Sequence, residues 1–514
     1  MTMYLRFLLF SIASLFIVAS CQVKETSQEE TPPNILLLFT DDQTFASINA
    51  LGHQEIYTPN LDRLAAMGTT FTHAYNMGGY HGAVCVASRS MLISGQSVWR
   101  ARAIEPIWKA NDSIALAQTW PQLMARRGYR TYMAGKWHVQ AKADSIFHTV
   151  GTERPGMPPD SWIKMGGEER KAMYQRIAQG GSFAELMPVE YSRPMSPQDQ
   201  DWLAWDTLQG GFWESGQHWS EKLRDEAIGF IEDAQEHKDP FFMYIAFNAP
   251  HDPRQSPQSF VDQYDLADIK VPVSFLPAYP YKDAIGCGMN LRDEGLAPFP
   301  RTRYAVKKHR QEYYALITHL DEQIGKILDA LEASGKMDNT YLLFTSDHGL
   351  SVGQHGLLGK QNLYDHSMRV PFIIAGRDIP KGQQIDTDIY LQDAMATALD
   401  LAGIDKPDHV EFNSVLPLIG KNREGYYPAI YGTYMDYQRM IRKDGYKMIL
   451  YPEVPKVRLF DLENDPLEME DRADQAEMST LKKALFGELQ QLQQAFGDTL
   501  QLERYFPELA APDL

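Results

Sequence analysis

The sequence predicts an α/β protein: a large, mostly parallel sheet flanked by helices, followed by a smaller C-terminal α+β subdomain built on an antiparallel sheet. Three observations lead there. Short continuous apolar runs alternate with amphipathic helical stretches over most of the chain, the pattern of a parallel sheet covered on both faces. Several of those runs end in a carboxylate, lysine or histidine, where open α/β sheets bind their ligands. Beyond about residue 425 the segments become short, closely spaced and rich in aromatic and aliphatic residues, as in a hairpin sheet.

Residues 1–20 read as a targeting segment. Arg6 precedes an apolar stretch, Phe7 to Val18, too short to span a bilayer comfortably, and small residues follow. The ending Val18-Ala-Ser-Cys21 resembles a bacterial lipoprotein signal, which implies lipidation of Cys21, export, and anchoring to a membrane. Residues 21–33 read as a polar tether. The main domain is expected over 34–424 and the subdomain over 425–514.

Asn34 to Thr40 is the first buried strand and runs into Asp41-Asp42. Adjacent carboxylates past a buried strand are costly unless a cation neutralises them, or else they are solvated loop acids. Thr58 to Gly68 reads as a helix with a glycine stop. Next comes a glycine-rich approach, Gly78, Gly79 and Gly82, leading to Cys85 and a helical run from Val86 to Ile93. Cys85 would sit at a helix N-terminus with Arg89 one turn on, as a nucleophile or as a buried structural thiol. A helix over Gln118–Gly128 precedes a strand over Tyr129–Ala134, which leads to Lys136 and His138.

Residues 145–215 show weak periodicity and read as an insertion lining or covering a pocket. A helix over Trp219–Gln235 and a strand over Pro240–Phe247 follow. The prolines at 250 and 253 fix the loop around His251. Residues 254–303 are irregular, a second candidate specificity loop. A long helix spans roughly Gln311–Ser334, with His319 and Asp321 read as structural. The strand Thr340–Thr345 ends at Asp347 and His348, Lys360 lies in a glycine-rich loop, Arg369–Gly376 is a fifth strand, and Asp388–Leu401 is helical. Four short strands over 430–460 and a helix over Leu481–Phe496 build the subdomain.

The formal net charge of −18 argues against a nucleic-acid partner and requires local cations wherever an anion binds. Three cysteines, Cys21, Cys85 and Cys287, make no disulfide framework. Asp41, Asp42, Asp347 and His348 could enclose a hard divalent cation, with Arg89, Lys136, His138, His251 and Lys360 as a cationic cup beside it. That describes a site for a tetrahedral oxyanion ester.

Taken in order, Phe39-Thr-Asp-Asp42, Thr58-Pro-Asn-Leu-Asp62, Cys85-Val-Ala-Ser-Arg89, Gly135-Lys-Trp-His138, Ala249-Pro-His251, Ser346-Asp-His-Gly349 and Arg369-Val-Pro371 resemble the motifs of the type I, formylglycine-dependent sulfatases of the alkaline-phosphatase-like superfamily. The resemblance implies that a maturation enzyme oxidises Cys85 to formylglycine, whose hydrate supplies the nucleophilic hydroxyl. Asp41, Asp42, Asp347, His348 and an oxygen of the modified Cys85 would hold Ca²⁺, or less fittingly Mg²⁺. Arg89 and Lys136 would stabilise the hydrate and the sulfate. His138 would be the base that breaks down the sulfated intermediate, and His251 with Lys360 would bind sulfate and protonate the leaving alcohol. Two residues depart from the pattern: Ala87 stands where proline is usual, which bears on the maturation route, and His348 where many members carry asparagine. The implied substrate is a sulfated polysaccharide or oligosaccharide. The alternatives are a choline-sulfatase-like small-ester hydrolase and a phosphonate or phosphodiester hydrolase of the same superfamily. Trp99, Arg100, Arg102 and His81, near the nucleophile segment, read either as contacts to the sugar or as ordinary packing.

Overall fold

Asn34–Thr40 explains its own composition once its neighbours are known. Successive side chains of a strand point to opposite faces, and all seven residues of this one are buried. Ile35, Leu37 and Phe39 join one apolar layer, whereas Leu36 and Leu38 join the other. The first layer includes Val84, Met91 and Leu92, Trp120 and Leu123, and Ala394 and Leu399, from the helices Val84–Ser94, Trp120–Arg126 and Asp393–Leu401. The second draws Leu61 and Leu64, Leu223 and Ala227, and Leu316, Leu320 and Ile324 from the helices Pro59–Met67, Trp219–Gln235 and Arg303–Ala333.

This computed structural model describes residues 32–511 apart from 182–185, 189, 192, 200–201 and 421–423. The expected leader, Cys21 and the tether up to residue 31 lie outside the described residues. From Pro33 onward the chain is one compact unit.

In chain order the strands are β1 (Asn34–Thr40), β2 (Gly68–Tyr75), β3 (Gly78–Gly79), β4 (Arg130–Lys136), β5 (Thr149–Arg154), β6 (Trp213–Glu214), β7 (Gln217–His218), β8 (Phe241–Ala246), β9 (Thr340–Ser346), β10 (Arg369–Ala375), β11 (Gln383–Ile385), β12 (Ile389–Tyr390), β13 (Ile430–Tyr434), β14 (Gln438–Lys443), β15 (Tyr446–Tyr451) and β16 (Lys456–Asp461). Among the described residues the main sheet has nine strands in the order β11-β2-β10-β9-β1-β8-β4-β5, with β12 also on β2. β10 runs antiparallel to both its neighbours, and the other pairings are parallel. The α/β expectation therefore holds. The strand-end motifs after β1, β4, β8 and β9 all leave the sheet at the same edge.

Several elements differ from the sequence expectation. β2 is rich in threonine and gives no apolar run, yet it lies inside the sheet beside β10. β5 falls inside the stretch read as an irregular insertion; it is a half-exposed edge strand, so its sequence Thr-Val-Gly-Thr-Glu-Arg carries little apolar signal. The long helix starts at Arg303, eight residues early, where the Thr302 hydroxyl accepts the Ala305 N–H at 3.0 Å. The helix expected from Asp388 begins at Asp393, because Ile389 and Tyr390 pair with β2 first.

β13 to β16 form the expected antiparallel meander, overlaid by the helix Ser479–Phe496. Its fifth strand comes from far upstream, because β3 pairs in parallel with β13. This is what Gly78 is for: it has φ +85°, and a Cβ there would stand 1.8 Å from the Thr433 carbonyl oxygen. The C-terminal sheet thus grips the approach to Cys85.

Candidate active site

The helix carrying Cys85 begins at Val84, so Cys85 lies in its first turn, where backbone N–H groups have no intrahelical partner. The Cys85 Sγ is 3.2 Å from Asp41 Oδ1 and 3.8 Å from Asp42 Oδ1. Asp41 and Asp42 follow β1 directly, and Asp347 follows its neighbour β9. The Asp42 N–H donates to Asp347 Oδ1 at 3.2 Å, which ties the two strand ends together. One ligand atom from each of Asp41, Asp42, Cys85 and Asp347 lies within 4.8 Å of the others, and all four residues are buried.

Three cations face this group. Arg89 Nε donates to Asp347 Oδ2 at 2.9 Å and its Nη1 to the Lys136 carbonyl at 2.8 Å, both side chains of the pair being fully buried. Lys136, from the end of β4, is ion-paired with Asp41. Lys360 Nζ reaches Asp42 Oδ1 at 2.6 Å and Cys85 Sγ at 2.8 Å. His251 enters from the loop after β8; its Nδ1–H donates to the Asp252 carbonyl at 2.6 Å, and Nε2 stands 3.8 Å from Asp42 Oδ2. His138 has φ +57° and Asp42 φ +67°, two non-glycine residues in the left-handed region, as occurs where surrounding structure over-determines a functional position.

Burial works against the charge on Asp41, but Lys136, Lys360 and Arg89 outweigh it and hold the carboxyl at about 2. Asp42 goes the other way: burial and the neighbouring Asp41 and Asp347 carboxylates push it well above the ordinary range despite Lys360. Burial also pushes the Cys85 thiol well up, with Asp347 and Asp41 adding to it. Burial, then Lys136 and Arg89, pushes His138 well down; burial, then Lys360 and Lys136, does the same to His251. Lys360, though buried, is held protonated chiefly by Asp42.

Cys85, His138, His251 and Lys360 open into one cavity of about 220 Å³. His348 is buried nearby, and burial keeps it neutral with a pKa of about 4. Its Nδ1–H donates to the Gly349 carbonyl at 3.1 Å. Among the described residues it belongs to none of the ligand clusters. Trp99, Arg100 and Arg102 do not line the cavity: Trp99 Nε1–H donates to the Tyr431 hydroxyl at 3.1 Å under Arg439, Arg100 pairs with Glu411, and Arg102 lies over Trp99. His81 Nδ1 accepts the Ala83 N–H at 3.0 Å. None of the four lines the cavity: His81, Arg100 and Arg102 are exposed and Trp99 is half-buried. Cys287 is a free buried cysteine, its thiol 3.1 Å from the Gln361 carbonyl.

Sequence reasoning passed over Gly156, Met157, Trp162, Arg292, Asp293 and Gln361, which complete the cavity wall. The first three come from the 145–215 segment, and Arg292 and Asp293 from the 254–303 loop. Arg292 bridges Asp252 at 2.7 Å and Asp293 at 2.5 Å, and Gln361 Nε2 donates to the second Asp293 oxygen at 2.7 Å. Irregular stretches carry no periodicity, so the sequence marks them as pocket-lining segments without singling out these residues.

The sulfatase family model matches residues 33–404, and the model of the N-sulphoglucosamine sulphohydrolase C-terminal region matches residues 353–495. The chain is 28% identical over 502 residues to an arylsulfatase of Clostridium perfringens, covering 92% of this chain and 98% of that one. It is 25% identical over 570 residues to an N-acetylglucosamine-6-O-sulfatase of Bacteroides thetaiotaomicron, covering 96% and 91%. A solved structure in complex with its substrate D-glucosamine-2-N,6-O-disulfate has the same fold, with a TM-score of 0.65 and 22% identity over 91% of this chain and 99% of that one. With a family model matching well over half of its length, this chain belongs to the sulfatase family, the sulfuric ester hydrolases.

Proposed function

We propose that the protein hydrolyses a sulfate ester carried by a sulfated oligosaccharide or polysaccharide, using a formylglycine made from Cys85 and a Ca²⁺ ion. The observation that carries this reading is the convergence of Asp41, Asp42, Asp347 and Cys85 within 4.8 Å, ringed by Arg89, Lys136 and Lys360. The donor set fits a hard divalent cation. It offers carboxylate oxygens, and Cys85 Sγ stands where an oxygen of the modified side chain would be. Asp42 Oδ2 is buried without a hydrogen-bond partner, an orphan that such an ion would satisfy. Bound there, Ca²⁺ would draw charge from a sulfate oxygen, and formylglycine would supply the hydroxyl that attacks sulfur.

The remaining chemistry belongs to the chain. Lys360 is charged and touches the position of the nucleophile, so it can hold a sulfate oxygen and give a proton to the leaving alcohol. His251 is neutral with Nδ1–H committed to a backbone carbonyl, which leaves its Nε2 lone pair facing the site. His138 is neutral too, and its buried Nδ1 has no partner, so it can accept a proton. Arg89 Nη2 is a buried donor without a partner, available to an anion held against the ion-binding group.

The relatives named for N-acetylglucosamine-6-O-sulfatase activity and for the glucosamine disulfate complex favour a sulfated sugar over a small ester such as choline sulfate. The leader and Cys21 support export and lipid anchoring to a bacterial membrane, with a maturation enzyme acting on Cys85. The test compares turnover of an aryl sulfate with that of aryl phosphodiesters and phosphonates, then screens defined sulfated oligosaccharides. The protein used has its Cys85 conversion verified by peptide mass. Faster diester cleavage would sink the sulfatase chemistry proposed here. A rate on choline sulfate above every sugar would sink the substrate class.

A further inference from the structure

Trp162 and Arg292 line the reacting cavity and also a second, more open groove of about 610 Å³. The inner cavity of about 220 Å³ is small against the ordinary size of ligand sites. A substrate longer than one ring must therefore extend beyond it, and this groove is a neighbouring space that shares its lining residues.

The groove is floored by the helix Gly167–Ala178, which contributes Arg170, Lys171 and Tyr174, and is flanked by Asn290. Arg292 is already neutralised by Asp252 and Asp293. Arg170 and Lys171 are not. Arg170 lies 5.6 Å over the Trp162 ring, and among the described residues the one hydrogen bond of its side chain is to the Trp162 carbonyl at 3.5 Å. Among the described residues neither Arg170 nor Lys171 pairs with a carboxylate. Glu168 and Glu169, in the first turn of the same helix, do not line the groove. On a chain of net charge −18, two uncompensated cations beside the reaction cavity are a local reversal of the global field.

Resting on the sulfatase reading above, we infer that this groove is a subsite for a second sugar unit bearing an anionic group, a carboxylate or a second sulfate, held by Arg170 and Lys171 while the first unit presents its sulfate to Cys85.

The test is equilibrium binding by calorimetry to the full-length chain. The probes are a 6-O-sulfated hexosamine alone, and the same unit extended by a neutral hexose, by a uronic acid, or by a sulfated hexose. The two anionic extensions are expected to bind at least tenfold tighter than the neutral one, and less so at high salt. Arg170→Ala/Lys171→Ala is expected to bring them to the neutral level while leaving the single-unit probe unchanged. A gain from only one anionic extension identifies the group read, and still supports the subsite. Equal binding of neutral and anionic extensions, or a preference that survives the double variant, overturns it. Binding does not need turnover, so a protein that shows the preference but cleaves no sulfate ester overturns the enzymatic reading alone.

Discussion

Gly156→Ala is the most discriminating single perturbation, because it touches the chemistry through one ring. A Cβ at Gly156 would stand 2.7 Å from His138 Cε1, 2.9 Å from Nδ1 and 3.1 Å from Nε2. Non-bonded carbons settle at about 3.5–4.0 Å, so the ring or the 156 backbone must give by about 1 Å. A misplacement of about 1 Å costs about 100-fold in rate, whereas one added methyl in a packed site costs about 1–3 kcal/mol of stability. The expectation is a kcat lowered by about 10- to 100-fold on an aryl sulfate, with KM nearly constant and the melting temperature lower by a few degrees. In a His138→Ala background the same substitution should change little, because the ring it displaces is gone. The assay is steady-state kinetics on parent, both single variants and the double, with equal Cys85 conversion verified by peptide mass. A Gly156→Ala enzyme with more than half the parent kcat, or an undiminished effect in the double variant, would refute the role given to His138.

Further outcomes follow from the same geometry. Cys85→Ala should abolish turnover while the circular dichroism spectrum and cooperative melt persist; native-level activity would remove Cys85 from the mechanism. Arg89→Met leaves Asp347 buried and unpaired, so chemical denaturation should show a loss of about 3–5 kcal/mol; a loss below about 1 kcal/mol would mean the pair is not structural. Saturating Ca²⁺ added to chelator-treated protein should raise the melting temperature, with about 2.7 kcal/mol gained at 100 times Kd, and Asp42→Asn should blunt the rise; identical melts with and without Ca²⁺ would exclude it as the ion. Asp393 is buried, and burial raises its carboxyl to about 7 despite hydrogen bonds from Tyr427 and two backbone N–H groups. Between an ordinary aspartate's 3.8 and about 7 the folded state keeps a proton that the unfolded state has lost, so this group's contribution to stability falls as pH rises through that window. The melting temperature of the parent relative to Asp393→Asn should therefore decline from pH 4 to pH 7 and then level off; a constant difference would place the carboxyl's titration elsewhere.

The parts of the fold legible in the sequence are those where burial on two faces forces apolar composition. β1, β8 and β9 announce themselves in this way, and because ligands gather at strand ends they also expose Asp41, Asp42, His251 and Asp347. β5 was hidden by its edge position, and β2 by threonines that satisfy the sheet without an apolar run. The inner site is made of short motifs in fixed order, which a sequence preserves. The cavity wall is made of residues such as Trp162 and Arg292 that only chain crossings bring together, and no local pattern foretells a crossing. Ala87, which departs from the usual proline, lies fully buried in the Cys85 helix, and a Cβ added at Gly79 of β3 would stand 3.5 Å from its own.

The pairing of β3 with β13 has a consequence for timing. Cys85 is 1% exposed beneath Lys360 and the carboxylates, and the segment leading into it is clamped by a strand synthesised about 345 residues later. At ~5–20 residues per second, that interval lasts about 17–70 s. Were another protein to act on the Cys85 side chain, as proposed above, it would have a window while the C-terminal sheet does not yet exist. Completion of β13 ends it. The last sixth of the chain thus acts as a clock on the segment leading into Cys85, and a truncation before residue 430 would lengthen the window as well as remove the antiparallel sheet.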